Sequence, residues 1–199
     1  MTKKVLLMWS GGVDSTGTLY QLLTEPQYKE FKVYIHHIHI INKEGRVEAE
    51  KVACEKIIKY LKDKGFIFDY TENSLDFNFM SSGLPADMDL AYFMSGWICR
   101  VDPTITHISR GRTYDDGLND AVFSSRERGL KILEILTGSP TPDHIFTQTH
   151  LTKKQVWELM PKELRGLCWY CRFPIKNNDG SFSICGQCHT CHAMSQILN

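Results

Sequence analysis

Lys3-Lys4-Val5-Leu6-Leu7-Met8-Trp9-Ser10-Gly11-Gly12-Val13-Asp14-Ser15-Thr16 decides the reading of the chain. A short apolar run, the form of a buried parallel strand, leads directly into Ser-Gly-Gly-x-Asp-Ser-Thr and then into helical periodicity. The two glycines permit a tight turn and close approach of backbone to an anion. The amides and positive dipole end of the following helix supply donors for phosphate oxygens. Ser10, Gly11, Gly12, Val13, Asp14, Ser15 and Thr16 are therefore the expected pyrophosphate cradle, with Ser10, Ser15 and Thr16 adding hydroxyls.

Outward from this loop, the periodicity predicts a helix over 15–23, a strand over 31–41, a helix over 46–64 and a strand over 66–71. A polar, aperiodic loop is expected over 73–85, then a helix over 87–99 and a strand over 106–109. An arginine-, glycine- and aspartate-rich loop over 110–120 follows, placed to wall a site at a strand's carboxyl end. A helix over 126–136, a strand over 145–148 and a helix over 152–160 complete the series. Strands alternating with helices predict an α/β fold with a doubly wound, mostly parallel sheet. His36, His37 and His39 fall on the second strand, with His37 and His39 on one face, and read as core or site-edge residues.

The end of the chain changes character. Cys168-Trp-Tyr-Cys171 and Cys185-Gly-Gln-Cys188-His-Thr-Cys191-His192 carry five of the seven cysteines. Paired Cys-x-x-Cys spacing suits a tetrahedral zinc ion held by four thiolates, a closed structural site with no open position for water. Cys185, Cys188 and Cys191 supply three ligands, and Cys171 or Cys168 supplies the fourth. The expected organisation is a nucleotide-binding domain over 1–160 and a small zinc-binding tail over 161–199. Cys54 and Cys99 lie in helical patterns and read as inert core residues.

Lysine plus arginine and aspartate plus glutamate each total 23, so the formal net charge is zero. Such balance argues against a surface built for direct nucleic-acid binding and favours a small ligand. No stretch has the length of a membrane span or the layout of a signal peptide, and the expected location is cytoplasmic.

Together the opening loop and the pattern Cys171-x13-Cys185-Gly-x-Cys188-x-x-Cys191 resemble the 7-cyano-7-deazaguanine synthase family. That family belongs to the PP-loop ATP pyrophosphatases, with their adenine-nucleotide α-hydrolase-like, Rossmann-like fold. Trp169-Tyr170-Cys171-Arg172-Phe173-Pro174 resembles the family's segment around its first zinc cysteine and favours Cys171 over Cys168. Leu151-Thr152-Lys153-Lys154-Gln155-Val156-Trp157 resembles its lysine-bearing helix, with Lys153 in the lysine position. The middle of the chain departs from the pattern. Gly117-Leu118-Asn119-Asp120-Ala121 stands where the family has Gly-Tyr-Pro-Asp-Cys, so only Gly117 and Asp120 match, and residues 42–50 replace an arginine-rich stretch.

The resemblance implies an ATP- and Mg2+-dependent, zinc-containing ligase. It would join 7-carboxy-7-deazaguanine and ammonia through an adenylate and an amide to a nitrile, acting as a homodimer. It assigns the phosphate cradle above to ATP, with Asp14 also serving magnesium, and places Asp14, Lys153, Arg110, Arg112 and Asp120 around the reacting groups. Arg46 is a further candidate for an anion, and Asp115 and Asp116 for a base edge or a metal. Two alternatives stand beside this reading. One is a related PP-loop enzyme that stops at the amide or adenylates another purine-like or tRNA acceptor; the other is a nucleotide- and zinc-binding interaction module without turnover.

Overall fold

A computed structural model of the chain describes residues 3–80, 87–117, 120–138 and 140–198; the side chains of 117 and 120–125 lie outside that description. Five parallel strands form one sheet in the order β3-β2-β1-β4-β5: β1 (Lys3–Met8), β2 (Phe31–Ile41), β3 (Asp69–Asp76), β4 (Ile105–Arg110) and β5 (Asp143–Ile145). The α/β architecture expected from the sequence is present, and here every strand pair in this sheet is parallel.

Alternation along β1 sends its side chains to two cores. Val5 and Leu7, with Trp9 just beyond the strand, pack against α1 (Val13–Thr24) and α2 (Val47–Asp63), through Leu19, Leu22, Cys54, Ile57 and Leu61. The same core takes in Val156 from α6 (Lys153–Leu159) and Leu164 from α7 (Lys162–Arg165). Leu6 faces the opposite side, where Tyr92 and Cys99 of α3 (Asp87–Val101) meet Leu133 of α5 (Asp120–Thr137). A one-turn helix α4 (Tyr114–Gly117) precedes α5. The tail adds a two-stranded antiparallel ladder, β6 (Ile175–Lys176) with β7 (Phe182–Ser183), and a closing helix α8 (His189–Leu198). Cys168 and Met194 belong to the apolar cluster that includes β1, so the tail packs directly on the sheet's helical layer.

Three expectations shift. Residues 73–76, read as loop, complete β3 by pairing with Ile38–Ile41 of β2, and the strand begins at Asp69 rather than at 66. Asn73, Ser74 and Asp76 are polar because β3 is an edge strand whose outward positions face water, so composition there resembles a loop. The last strand of the sheet is Asp143–Ile145 rather than 145–148. The loop expected over 110–120 contains α4, and Thr113 closes its turn: its amide and hydroxyl donate to Asp116 at 2.9 and 3.3 Å. Residues 118–119 and the side chain of Asp120 fall outside the described part of the structure, as does most of the Gly117–Ala121 stretch whose pattern departs from the family's.

β1 has β2 on one side and β4 on the other, so the order reverses there and a crevice opens beyond the carboxyl ends of these strands. Among the described residues no helix is long and apolar enough to cross a membrane.

Candidate active site

The crevice holds a cleft of about 330 Å³, floored by Ser10, Gly12, Asp14 and Ser15 and walled by residues from β2, α3, β4, α6 and the tail. Gly11 turns the chain with φ +73°, a left-handed conformation that side chains rarely adopt, and a Cβ there would lie 2.7 Å from Cys54 Sγ. Cys54 is thus the packing partner beneath the loop. Helix α1 starts at Val13 with Gly12 as N-cap, which has no side chain to bond the first amides of the helix. Those amides remain available to an oxyanion, which is what a phosphate cradle requires.

The hydroxyls divide in their roles. Ser10 and Ser15 lie 3.0 Å apart at the mouth of the loop, where Ser15 Oγ also accepts from the Ser10 amide. Thr16 is buried and accepts the Trp9 indole N–H at 3.2 Å, so its hydroxyl braces the loop from behind.

Lys153 reaches the cradle because α6 is fixed at its amino end. Thr152 and Gln155 form a reciprocal capping box, and the Lys153 amide donates to Asp115 at 2.7 Å. The Lys153 ammonium then lies 2.9 Å from Asp14 Oδ2. Burial raises the Asp14 carboxyl above its ordinary pKa despite the lysine, while burial of Lys153 is outweighed by Asp14, Asp116 and Asp115, which raise it and keep it charged. Asp14 Oδ1 is buried without a hydrogen-bond partner among the described residues. An unpaired carboxylate oxygen with two more carboxylates nearby fits a magnesium ion, which prefers one or two carboxylates together with phosphate oxygens. Buried Gln148 donates to the Asp14 backbone carbonyl and to Thr18, bracing the first turn of α1.

Gly111 was not singled out by the sequence pattern, yet it has no room for a side chain. A Cβ there would lie 2.5 Å from the Ser15 amide nitrogen and 2.6 Å from the Asp14 carbonyl carbon. Those are backbone atoms of the cradle itself and cannot rotate away. Gly111→Ala is expected to push the start of α1 out of place and weaken ATP binding by roughly 5- to 150-fold, on the scale of 1–3 kcal/mol for overpacking. Titration calorimetry with ATP checks this.

Arg110 forms part of the cleft wall, whereas Arg112 does not, although it stands close enough to disfavour the charge on Arg110. Arg46, a candidate for a free cation, is committed elsewhere. It pairs with Asp87 at 2.7 Å, Glu44 at 3.1 Å and Glu50 at 3.4 Å, and Arg172 from the tail joins Glu44 at 2.9 Å and Asp87 at 3.4 Å. This network ties the β2–α2 turn, α3 and the tail together along one wall. Burial, with the repulsion of Asp87 and Glu44, outweighs Arg46 and pushes Glu50 up to about 7. Because the folded pKa lies above the unfolded value, Glu50 favours the folded state least once it must ionise. Stability should fall as pH rises from about 4.5 through about 7, by up to roughly 3 kcal/mol. Glu50→Gln should flatten that slope in denaturant melts at pH 5 and pH 8.

On the β2 side, His36 contacts Thr71 and Asn73 at 2.8 Å each, and buried His37 contacts the Trp9 carbonyl at 2.9 Å. His37 and His39 share a face, with ring centroids 4.4 Å apart. Burial pushes His37 down to about 4, so it is neutral at pH 7. His36, His37, Ile38 and Ile40 line the cleft on this side.

The sulfurs of Cys171, Cys185, Cys188 and Cys191 all lie within 4.8 Å of one another, and Cys168 is not among them. Cys168 is instead buried in the main core, where burial pushes its thiol up to about 12. The cluster suits one metal ion, since four sulfurs at about 2.3 Å from a tetrahedral zinc would be about 3.8 Å apart. Cys185 and Cys191 sulfurs are 3.9 Å apart. Backbone amides point at the sulfurs: Cys185 N–H at Cys171, and Gln187 and Cys188 N–H at Cys185. The tail meets the cradle directly. The Trp169 amide donates to the Gly11 carbonyl at 3.1 Å, and Trp169, Tyr170, Thr190 and Met194 line the cleft.

No protein-family model matches the chain, and no curated protein matches it. Among solved structures it is similar to the U34-tRNA thiolase NcsA from Methanococcus maripaludis with its [4Fe-4S] cluster, at 16% identity and a TM-score of 0.51. The match covers 79% of this chain and 56% of the thiolase, so the chain spans little more than half of that protein's length. The likeness shows a shared α/β fold.

Proposed function

We propose that this protein is a PP-loop ATP-dependent, AMP-forming ligase whose acceptor is 7-carboxy-7-deazaguanine or a close relative, with ammonia as the second substrate. The single observation that supports it most is the uncapped start of α1 facing a cleft in which Lys153, 2.9 Å from Asp14, is held in place by Asp115. Free amides and a fixed ammonium are what a leaving pyrophosphate requires.

The acceptor's carboxylate oxygen attacks the α-phosphorus of ATP, and pyrophosphate leaves. The amides of α1 and the hydroxyls of Ser10 and Ser15 hold the departing phosphates, and Lys153 offsets the charge growing on them. Magnesium, held by phosphate oxygens and Asp14, would supply further neutralisation. Ammonia then attacks the acyl carbon and loses a proton as AMP departs, giving an amide. A second ATP activates the amide oxygen in the same way, and loss of AMP and a proton leaves the nitrile. The neutral wall of His37, Ile38 and Ile40 suits an uncharged adenine, and Trp169 and Tyr170 of the tail close the cleft over it. We assign zinc to Cys171, Cys185, Cys188 and Cys191, as a structural ion holding 161–199 as a small subdomain against the nucleotide-binding part.

The structural neighbour is a tRNA thiolase with a [4Fe-4S] cluster; a thiolase that instead carried sulfur on a free cysteine would need an accessible, readily ionised thiol outside the four-cysteine cluster. Cys54, Cys99 and Cys168 are all buried, and burial pushes each thiol upward. The ligase reading is tested by incubating metal-loaded protein with ATP, magnesium, ammonium and 7-carboxy-7-deazaguanine and identifying products by mass. AMP with the amide or nitrile is expected. ATP left intact would favour a binding module, and an amide that accumulates without nitrile would mark a ligase that stops halfway.

A further inference from the structure

Beside the phosphate cradle, at the carboxyl ends of β4 and β5, lies a second concentration of polar groups. The Arg110 guanidinium carbon sits 4.5 Å from the Tyr92 ring centre and 5.9 Å from that of Phe146. Arg126 lies 5.7 Å from the same Phe146 ring, and His144 stacks on Phe146 at 5.5 Å. Arg110 Nε, Arg126 Nε, His144 Nε2 and the Tyr92 hydroxyl are each buried without a hydrogen-bond partner among the described residues. No carboxylate among the described residues forms an ion pair with Arg110 or Arg126. The other cations around the cleft differ: Lys153 is paired with Asp14, and Arg46 and Arg172 with Glu44 and Asp87.

Arg110 and Arg126 are half-buried, and a buried guanidinium N–H without an anion is costly, a cost that aromatic faces offset only in part. Burial and the two arginines hold His144 neutral, with a pKa of about 4, so it does not add to the repulsion at pH 7. We infer that Arg110, Arg126, His144 and Tyr92 form an oxyanion seat, separate from the pyrophosphate cradle, that holds the acceptor's carboxylate. This deepens the ligase reading and rests on it for the acceptor's identity. A planar carboxylate can take two parallel bonds from one guanidinium, which suits it to Arg110, whose guanidinium carbon stands 4.5 Å and 5.9 Å from the Tyr92 and Phe146 ring centres. Arg110 also lines the main cleft, so the carboxylate would be met from there.

Position supports the role. Arg110 pairs in register with Met8, two residues before Ser10, and Gly111 abuts the start of α1. Neighbouring strands are about 4.8 Å apart, so a carboxylate on Arg110 would lie beside the phosphates held by the cradle. The seat would orient one carboxylate oxygen toward the α-phosphorus.

The test is titration calorimetry of the metal-loaded protein, its Arg110→Gln variant and its Arg126→Gln variant, each compared for melting temperature. The ligands are 7-carboxy-7-deazaguanine, 7-deazaguanine without the carboxylate, benzoate, inorganic phosphate and ATP. Each variant should bind the carboxylated base about tenfold or more weakly, while 7-deazaguanine and ATP change less than about threefold. Arg126→Gln carries the test if Arg110→Gln fails to fold. If the unaltered protein binds benzoate but not the deazaguanine carboxylate, and the variants lose benzoate, the acceptor assignment fails and the seat stands. Carboxylate binding equal in all three proteins would overturn the seat, as would losses confined to ATP or to inorganic phosphate.

Discussion

Lys153→Ala should lower the rate of acceptor-dependent pyrophosphate release by about 10²–10³-fold, the scale expected when one preorganised donor to a developing negative charge is removed. The effect should fall on turnover. ATP affinity should change less than about tenfold, because in the proposed reading the amides at the start of α1 would still hold the phosphates. The structure gives a second consequence of the same substitution. Lys153 is the main group opposing burial at Asp14, so its loss leaves that carboxyl more protonated at neutral pH. The pH at which half-maximal activity is reached should therefore move upward. Single-turnover pyrophosphate release measured from pH 6 to pH 9 reads both effects. A change in rate of less than about threefold would remove Lys153 from the chemistry.

Cys188→Ser should lose the metal and, with it, the cleft. Structural zinc contributes about 10–16 kcal/mol of binding free energy in small zinc domains, as much as the whole stability of many folded proteins. The ladder beside the cysteines is short, with β6 and β7 of two residues each, so the metal is the main tie between Cys171 and the Cys185–Cys191 turn. The tail supplies the Trp169 amide to Gly11 and the wall residues Thr190 and Met194. Metal analysis should find less than stoichiometric zinc in the variant, the melting temperature should fall by more than about 10 °C, and ATP binding should weaken with it. The temperature shift follows from several kcal/mol at about 2–4 °C per kcal/mol for a chain of this size. Full metal content in the variant would contradict a site made of Cys171, Cys185, Cys188 and Cys191.

What the sequence disclosed was the chemistry that is local in sequence. The opening loop is legible because strand, turn and helix start follow one another within fourteen residues, Lys3 to Thr16. The parallel sheet is legible because β1, β2 and β4 are apolar enough to be recognised as buried. β3 runs on to Asp76, where the sequence reads as a loop, because an edge strand has a polar composition. The cysteines announce a cluster able to hold a metal, but spacing alone leaves Cys168 and Cys171 equivalent; packing separates them, burying Cys168 in the main core, in agreement with the resemblance around Cys171. Other members of the cleft depend on contacts between distant segments. Gly111 matters through two backbone atoms of α1, Gln148 through the Asp14 carbonyl 134 residues away, and Arg172 through Glu44. Arg46 shows the reverse: a plausible free cation in sequence proves to be paired on three sides. A single sequence carries no signal for such pairings.

The central claim is that an acceptor carboxylate attacks the α-phosphorus of ATP in this cleft. It is tested most directly with 7-carboxy-7-deazaguanine labelled with 18O in its carboxylate, ATP, magnesium and ammonium, followed by mass analysis of the nucleotide product. The account predicts AMP carrying one 18O atom from each acceptor converted to amide. Unlabelled AMP, or ADP and phosphate in its place, would contradict it.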